Sequence, residues 1–125
     1  DNLSNGGKAA IQAITIDDSL FDRYKNKQDF IQKYIFPGGM LPSPSTLERI
    51  AEKNKFNFSI KNQMADSYHQ TLEAWRENFN TKWSAIKNLG YSDEFKRMWN
   101  FYLSYCSGGF KAKTIDVYQI DFSKK

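Results

Sequence analysis

Residues 8–16, Lys-Ala-Ala-Ile-Gln-Ala-Ile-Thr-Ile, form a nearly continuous apolar run that ends in β-branched side chains. Such a run is typical of a strand buried on both faces, as in a parallel sheet. Gln12 interrupts it with a polar amide. This amide is either hydrogen-bonded inside the core or presented at the C-terminal end of a central strand, where α/β folds bind ligands. Asp17-Asp18-Ser19 ends the predicted strand.

Helices and two further strands follow along the chain. A short helix is predicted near 27–34, and another over 45–53 with Leu47, Ile50 and Ala51 inward; it begins at Ser43-Pro44 or at a capping box of Ser45 and Glu48. Strands are predicted over 56–60 and 114–122. Within the second strand the apolar residues change from odd-numbered to even-numbered positions, a phase switch that indicates either a bulge or a strand covered on both faces. Two long helices lie between these strands, the second ending at Gly108-Gly109. Their apolar stripes are Tyr68, Leu72, Trp75, Phe79 and Trp83 in the first helix, and Phe95, Met98, Trp99, Tyr102 and Cys106 in the second.

The order of these elements indicates an α/β fold. Three strands are few for a doubly wound sheet, and the first reads as a central strand without its partners. The sequence therefore predicts the C-terminal portion of a larger α/β domain, with three strands, four or so helices and an incomplete sheet.

Composition narrows the class of protein. The length of 125 residues fits one domain, and the 16% aromatic content exceeds what the core of such a domain needs. The surplus rings indicate an apolar pocket, a partner surface or simply aromatic-rich packing. The single cysteine, Cys106, favours a reducing compartment and reads as buried apolar filler. The only histidine, His69, has no companions for a metal site and is predicted to be exposed and structural.

The segment 34–43, Tyr-Ile-Phe-Pro-Gly-Gly-Met-Leu-Pro-Ser, is a rigid apolar turn that leads into a helix start. Three further stretches accompany it in order: Tyr68-x-x-Thr71-Leu72-x-Ala74-Trp75-x-x-x-Phe79, then Phe95-Lys96-Arg97-Met98-Trp99-x-x-Tyr102-Leu103-x-x-Cys106, and Gly109-Phe110-x-x-x-x-Ile115-Asp116-x-x-Gln119. On these four stretches the chain resembles the C-terminal third of the cyclopropane-fatty-acyl-phospholipid synthase family, which includes the mycolic acid cyclopropane synthases.

The resemblance implies a Rossmann-like methyltransferase that uses S-adenosylmethionine (SAM). Residues 1–125 would be the C-terminal fragment of a class I methyltransferase domain, with an acyl-binding helical insertion at about 62–106. The whole enzyme would modify the double bond of an unsaturated acyl chain on a phospholipid, giving a cyclopropane or methyl-branched product. SAM would be bound mainly by residues upstream of this chain, and the fragment alone would be inactive.

The resemblance also implies roles for individual residues. In the family a bound bicarbonate is the base, and the positions that match its ligands are Tyr68, Gln12 and the backbone of Ile14. Gln12 stands where the family has a histidine, and an amide cannot exchange a proton near neutral pH, so the kind of product stays open. The positions that match the acyl tunnel are Phe36, Leu41, Leu72, Cys106 and Phe110.

The implied partners are an unsaturated acyl lipid and a membrane surface, for a cytoplasmic, peripherally associated protein. The net charge of +4 would assist at an anionic surface. An incomplete sheet predicts a homodimer or strand-swapped oligomer of the fragment.

Two alternatives remain: a non-enzymatic module that binds a lipid or another apolar ligand, and a basic RNA-binding domain. The latter is disfavoured, and no nucleic acid partner is expected, because the rings lie on helix stripes rather than on an open sheet.

Overall fold

A computed structural model describes residues 3–125 of the chain. Its elements alternate between strands and helices, which confirms the predicted α/β class. In chain order they are β1 (Lys8–Ile16), α1 (Asp18–Lys25), a π-helical turn (Ile31–Ile35), α2 (Pro44–Lys53), β2 (Phe56–Gln63), α3 (Ala65–Thr81), α4 (Trp83–Asn88), α5 (Asp93–Lys111) and β3 (Ile115–Lys124). None of the described helices is long and apolar enough to cross a membrane.

The three strands form one open sheet in the order β1-β3-β2. Both β1 and β2 run antiparallel to β3, with Ile16 opposite Ile115 in one pair and Phe56 opposite Lys124 in the other. The register of the β2 pair shifts between Ile60 and Asn62. The incomplete sheet was predicted, but the expected parallel environment of the first strand was not found.

The prediction that β1 is buried on both faces is wrong for this chain. Ile11 and Ile14 are 40% and 42% exposed, and only Thr15 and Ile16 of this strand are buried. The physical reason is that β1 lies at the edge of the described sheet and pairs with β3 alone. Its apolar side chains therefore lack the neighbours that a central strand would supply.

The buried part of the sheet is centred on β3. Val117 and Ile120 are 1% and 0% exposed, and their odd and even positions place them on opposite faces of the strand. A central strand covered on both sides explains the apolar phase switch in the sequence. The bulge that was the other explanation is also present, but it lies in β2.

Polar side chains cap the N-termini of α1, α2 and α5. The side chain of Ser43 accepts a hydrogen bond from the Thr46 N–H, so the Ser43-Pro44 start of α2 is confirmed over the alternative at Ser45. Ser92 caps α5 through the Phe95 N–H, as its sequence predicts. Asp17 caps α1 through Ser19 N–H at 2.9 Å. The sequence reading missed α1 and took the acidic pair only as a strand end.

Several packing predictions fail in the helices. The helix near 27–34 is a π-helical turn over Ile31–Ile35. Gly108-Gly109 does not stop α5, which continues to Lys111, and the chain turns at Lys113 with a φ of 56°. The apolar stripe of α3 is shorter than predicted, because Trp75 is 58% exposed and Trp83 belongs to α4. In α2, Ile50 was predicted to face inward but is exposed. Buried α3 positions are Ala65 and Leu72.

The described chain divides into two compact units. The first comprises residues 3–64 and 114–125, with the sheet, α1 and α2, and the second is the helical segment Ala65–Lys113. Within the second unit α3 and α5 pack as an antiparallel pair. Tyr68 near the start of α3 contacts Phe110 near the end of α5, whereas Asn80 near the end of α3 bonds to Asn100.

Candidate functional site

The predicted site residues fall into both units. Gln12, Ile14, Phe36 and Leu41 belong to the sheet unit, and Tyr68, Leu72, Cys106 and Phe110 belong to the helical unit. Each set has its own geometry.

Gln12 lies in the middle of β1, where it is exposed. Its Oε1 accepts a hydrogen bond from Gln119 Nε2 at 3.0 Å, and Gln119 Oε1 accepts one from Asn62 Nδ2 at 3.2 Å. Three amides therefore form a row across the sheet. Both sequence readings placed Gln12 in a buried strand or at its end, and both are wrong on that point. Because an amide oxygen only accepts hydrogen bonds, the Gln12 side chain could bind an anion only through its NH₂ group.

The backbone of Ile14 lies along the edge of β1 that faces away from β3. The Ile16 N–H donates to the Pro42 carbonyl at 3.0 Å, while the Asp17 N–H donates to Thr114 just before β3. Successive residues of a strand direct their backbone groups to opposite edges. The N–H groups of Ile14 and Gln12 therefore lie on the same edge as that of Ile16, so two backbone donors follow one another there, while the Gln12 side chain lies on a face of the sheet beside Gln119.

The loop that carries Phe36 and Leu41 is held by hydrogen bonds. The Gly39 N–H donates to the Phe36 carbonyl at 2.9 Å, and Gln32 Nε2 donates to the Gly39 carbonyl at 3.0 Å. Gly38 has a φ of +80°, and a Cβ on Gly39 would lie 3.0 Å from Phe36 O, so the turn favours glycine at both positions. The Phe36 ring is 59% exposed, whereas Leu41 is half-buried. This braced loop therefore offers an apolar ring to a ligand or partner.

Tyr68, Leu72 and Phe110 meet where α3 packs on α5. Leu72 and Phe110 are 6% and 3% exposed, and the Tyr68 and Phe110 ring centroids lie 5.3 Å apart. Tyr68 is half-buried, so its ring contributes to packing. The structure thus brings these three predicted residues to one end of the helix pair.

Cys106 is half-buried on α5, one turn after Tyr102. Burial raises the pKa of the Tyr102 hydroxyl, and the adjacent Cys106 adds to this increase. Tyr102 also ends a continuous series of ring contacts with centroid separations of 5.0–6.2 Å, formed by Trp83, Phe79, Phe95, Trp99 and Tyr102. Such a surface is apolar and can also stabilise a cation through its ring faces.

A polar network between α3 and α5 was missed from the sequence. The Ser107 hydroxyl donates to Glu73 Oε1 at 2.6 Å and lies 2.8 Å from His69 Nδ1, while Arg76 Nη2 donates to Glu73 Oε2 at 2.7 Å. The bond from Ser107, and next that from Arg76, hold the pKa of the Glu73 carboxyl below its usual value. His69 is half-buried here, which corrects its predicted exposure. A serine within the apolar stripe of α5 was the signal that could have revealed the network.

Residues 3–125 contain no group of three or more His, Cys, Asp or Glu side chains that could hold a metal ion. The arrangement instead offers hydrogen-bond donors along β1, an exposed ring on a braced loop and an aromatic helical surface. These groups suit an anion and an apolar chain.

The sequence matches the family profile described as mycolic acid cyclopropane synthetase over residues 1–120. Tuberculostearic acid methyltransferase UfaA1 of Mycobacterium tuberculosis is 38% identical over 115 residues, which cover 91% of this chain and 27% of that protein. Cyclopropane-fatty-acyl-phospholipid synthase of Escherichia coli is 39% identical over 101 residues, 79% of this chain and 25% of that protein. The chain thus spans about a quarter of the length of these relatives.

Solved structures share the fold. The cyclopropane synthase MmaA2 of M. tuberculosis superposes with a TM-score of 0.82 at 24% identity, over 98% of this chain and 46% of that one. Mycolic acid cyclopropane synthase CmaA1, in a crystal structure complexed with SAH and CTAB, gives a TM-score of 0.75 at 26% identity, over 94% of this chain and 44% of that one.

Proposed function

This chain belongs to the mycolic acid cyclopropane synthetase family, and we propose that it is part of a SAM-dependent methyltransferase that modifies the double bond of an unsaturated acyl chain on a phospholipid. The observation that carries the proposal is the family match over residues 1–120. The relatives named above include a methyltransferase and a phospholipid-modifying synthase, which supports the same reaction class. Methyl transfer from SAM followed by loss of a proton gives a cyclopropane or a methyl-branched chain that keeps a double bond, with S-adenosylhomocysteine as the second product.

The chain supplies the lipid-binding side of the enzyme in this proposal. The acyl-binding insertion that we propose at about 62–106 overlaps the helical unit Ala65–Lys113, and Leu72, Cys106 and Phe110 would contact the acyl chain in that unit. In the sheet unit, Phe36 and Leu41 on the braced loop are the residues that we assign to contact with an acyl chain. The related CmaA1 binds CTAB in its crystal structure, which supports the binding of an alkyl chain in this proposal. Apolar walls suit the chemistry because a carbocation formed at the double bond must be kept from water.

The described residues do not fit SAM. The β1–α1 connection contains no glycine, and its capping position is the Asp17 carboxylate, which is used by the first turn of α1. A strand-to-helix turn that binds a nucleotide-like cofactor needs close backbone approach, which glycine allows. We therefore assign SAM binding to other parts of the full-length protein and expect this chain alone to be inactive.

The donors along β1 fit a small anion. In the sheet unit, Gln12 through its NH₂ group and Ile14 through its backbone N–H would bind bicarbonate; in the helical unit, the Tyr68 hydroxyl is the donor that the family resemblance assigns to the same anion. A bound bicarbonate supplies a base for removal of a proton from the alkylated chain. Gln12 can orient this anion but cannot itself accept a proton near neutral pH. We therefore propose that the residue at position 12 influences whether the acyl product carries a cyclopropane ring or a methyl branch.

One exposed face of α5 supports peripheral membrane binding. Phe101 and Tyr105 are exposed and stack with ring centroids 5.9 Å apart, the exposed Arg97 lies one turn before Phe101 on the same side of the helix, and the exposed Lys111 ends α5. Aromatic rings flanked by cations suit the interface of an anionic bilayer.

The decisive experiment compares the full-length enzyme with this chain alone. Each is incubated with methyl-labelled SAM and vesicles of unsaturated phospholipid, and the lipid products are separated by mass spectrometry. We expect labelled cyclopropane or methyl-branched lipid only from the full-length enzyme. Lipid binding without methyl transfer by the full-length protein would overturn the proposal in favour of a non-enzymatic lipid-binding module.

A further inference from the structure

Ser107 is a buried polar residue on the apolar side of α5. It is 2% exposed and lies between Leu103 and Phe110, which are equally buried. A buried hydroxyl needs hydrogen-bond partners, and both partners of Ser107 come from α3, namely Glu73 and His69. The hydroxyl is thus a polar connection inside an otherwise apolar helix contact.

The donor and acceptor groups of the three side chains determine the direction of each hydrogen bond. The depressed pKa of Glu73 keeps its carboxylate ionised at neutral pH, so it only accepts. The single hydroxyl hydrogen of Ser107 is donated to Glu73, and the 2.8 Å contact with His69 must therefore be donated by Nδ1–H. In its neutral form His69 is held as the Nδ1–H tautomer.

The network lies beside Tyr68. His69 follows Tyr68 in α3, and each side chain contacts α5, His69 at Ser107 and Tyr68 at Phe110. Ser107 and Phe110 are one helical turn apart on α5. Two successive residues of α3 are therefore held by two neighbouring positions of α5, and this restricts both the rotation and the axial shift of the α3 turn that carries Tyr68.

We propose that Ser107 is a positioning residue which, through Glu73 and His69, fixes the direction in which α3 presents the Tyr68 hydroxyl. The inference rests on the role given to Tyr68 in the proposed function. Ser107 itself touches neither lipid nor cofactor in this proposal. It acts only by holding the start of α3 against α5.

The first test measures the network without any activity. His69 is the only histidine of the chain, so ¹⁵N-labelled histidine gives one set of side-chain signals. We expect the neutral ring of the full chain to show the Nδ1–H pattern, and Ser107→Ala to abolish that preference and shift the Tyr68 ring signals. An Nε2–H pattern in the wild type, or Tyr68 signals unchanged by Ser107→Ala, would overturn the inference.

The second test uses the full-length enzyme. Ser107→Ala should lower kcat about tenfold with KM within about twofold, whereas Ser107→Thr, which keeps the hydroxyl, should restore most of kcat. The matched control is Asn80→Ala. It removes hydrogen bonds to Asn100 of 2.6 and 3.1 Å that also join α3 to α5, but at the other end of α3 from Tyr68.

The control decides between positioning and simple stabilisation. An equal loss of kcat in Asn80→Ala and Ser107→Ala would refute the positioning role. Should Ser107→Ala fail to fold, Glu73→Ala, which removes the acceptor of the Ser107 hydroxyl, is measured instead; unchanged Tyr68 signals and kcat in that variant would also count against the role. A full-length protein without methyl transfer would refute the proposed function, while the NMR measurements would still decide whether the network positions Tyr68.

Discussion

The hydroxyl of Tyr24 in α1 accepts a hydrogen bond from the backbone N–H of Leu41 at 3.0 Å. This bond joins α1 to the braced loop, and burial raises the pKa of Tyr24. Tyr24→Phe should lower the free energy of unfolding by about 1 kcal/mol, because the Leu41 N–H loses its acceptor. Urea denaturation measures this change. Tyr34→Phe removes a hydroxyl from an exposed ring and serves as the control. An equal loss in both variants would mean that the bond to Leu41 contributes nothing specific.

The centre of β3 should dominate the stability of the sheet unit. Ile120→Val should lower the free energy of unfolding by about 0.5–1.5 kcal/mol, since it deletes a methylene group from a fully buried site. Ile11→Val makes the same chemical change at an exposed site of β1 and should cost less than about 0.5 kcal/mol. Thermal or chemical unfolding of the two variants checks the difference, and similar values would contradict the assignment of the core to β3.

The network around Glu73 makes a pH-dependent contribution to stability. Its folded-state pKa lies below the reference value of 4.5, so the carboxylate stabilises the fold above pH 4.5 and this stabilisation is lost as the pH falls through the folded-state pKa. Wild type should therefore lose more stability than Glu73→Gln between about pH 5 and pH 3. Unfolding free energies measured across this range provide the check. Parallel pH profiles of the two proteins would show that Glu73 is not linked to folding.

Lys113 is strained by its left-handed backbone conformation just after α5. Lys113→Gly should raise the free energy of unfolding by roughly 0.5–1 kcal/mol, because glycine adopts a φ of 56° without the penalty that a Cβ incurs. The ion pair lost with Asp66 is highly exposed and weakens the gain only slightly. Lys111→Gly, within α5, should instead cost up to about 1 kcal/mol. Calorimetry measures the free energy of unfolding of both variants. A change of the same sign in the two variants would contradict the strain assigned to Lys113.

The open edge of β1 should drive self-association of the isolated chain. Ala10 directs its backbone to the same edge as Ile16, whereas Ala9 faces β3, opposite Phe122. Ala10→Pro should therefore abolish association at micromolar concentration with little loss of monomer stability, because it removes an N–H from the open edge. Sedimentation velocity measures the oligomeric state, and a wild-type chain that is monomeric would end this proposal.

The matched substitution Ala9→Pro removes a donor that faces β3. It should lower the free energy of unfolding by at least about 1 kcal/mol, the cost of a lost ladder bond. If Ala9→Pro and Ala10→Pro destabilise equally, the assignment of the two edges of β1 is wrong.

Local chemistry in the sequence predicted local structure well. Ser43 and Ser92 cap helices as expected, because a cap depends on a few adjacent residues. The α/β class and the incomplete sheet were also predictable from the order of elements. Glycine was a poor guide at Gly108-Gly109, since a helix that gains enough packing from Leu103 and Phe110 continues past such residues.

Features that depend on distant partners were not readable from the pattern. Ile11 and Ile14 look like core residues, but their burial is set by which strands pair with β1. The contacts of Ser107 with Glu73 and His69 depend on the antiparallel packing of α3 and α5, which no single stretch encodes. The resemblance to a family supplied Tyr68, Gln12 and Ile14, and their roles remain predictions.

The position of β3 in the chain has a consequence for synthesis. Within residues 3–125, β1 and β2 pair with β3 and not with each other, and β3 is the last element to be made. Among residues 3–125, neither β1 nor β2 therefore has its strand partner until Ile115–Lys124 emerges from the ribosome, while α3 and α5 can already pack. Nascent chains arrested before Ile115 should keep a protease-resistant helical unit and a cleavable β1, and the ten residues of β3 then complete this sheet in one step.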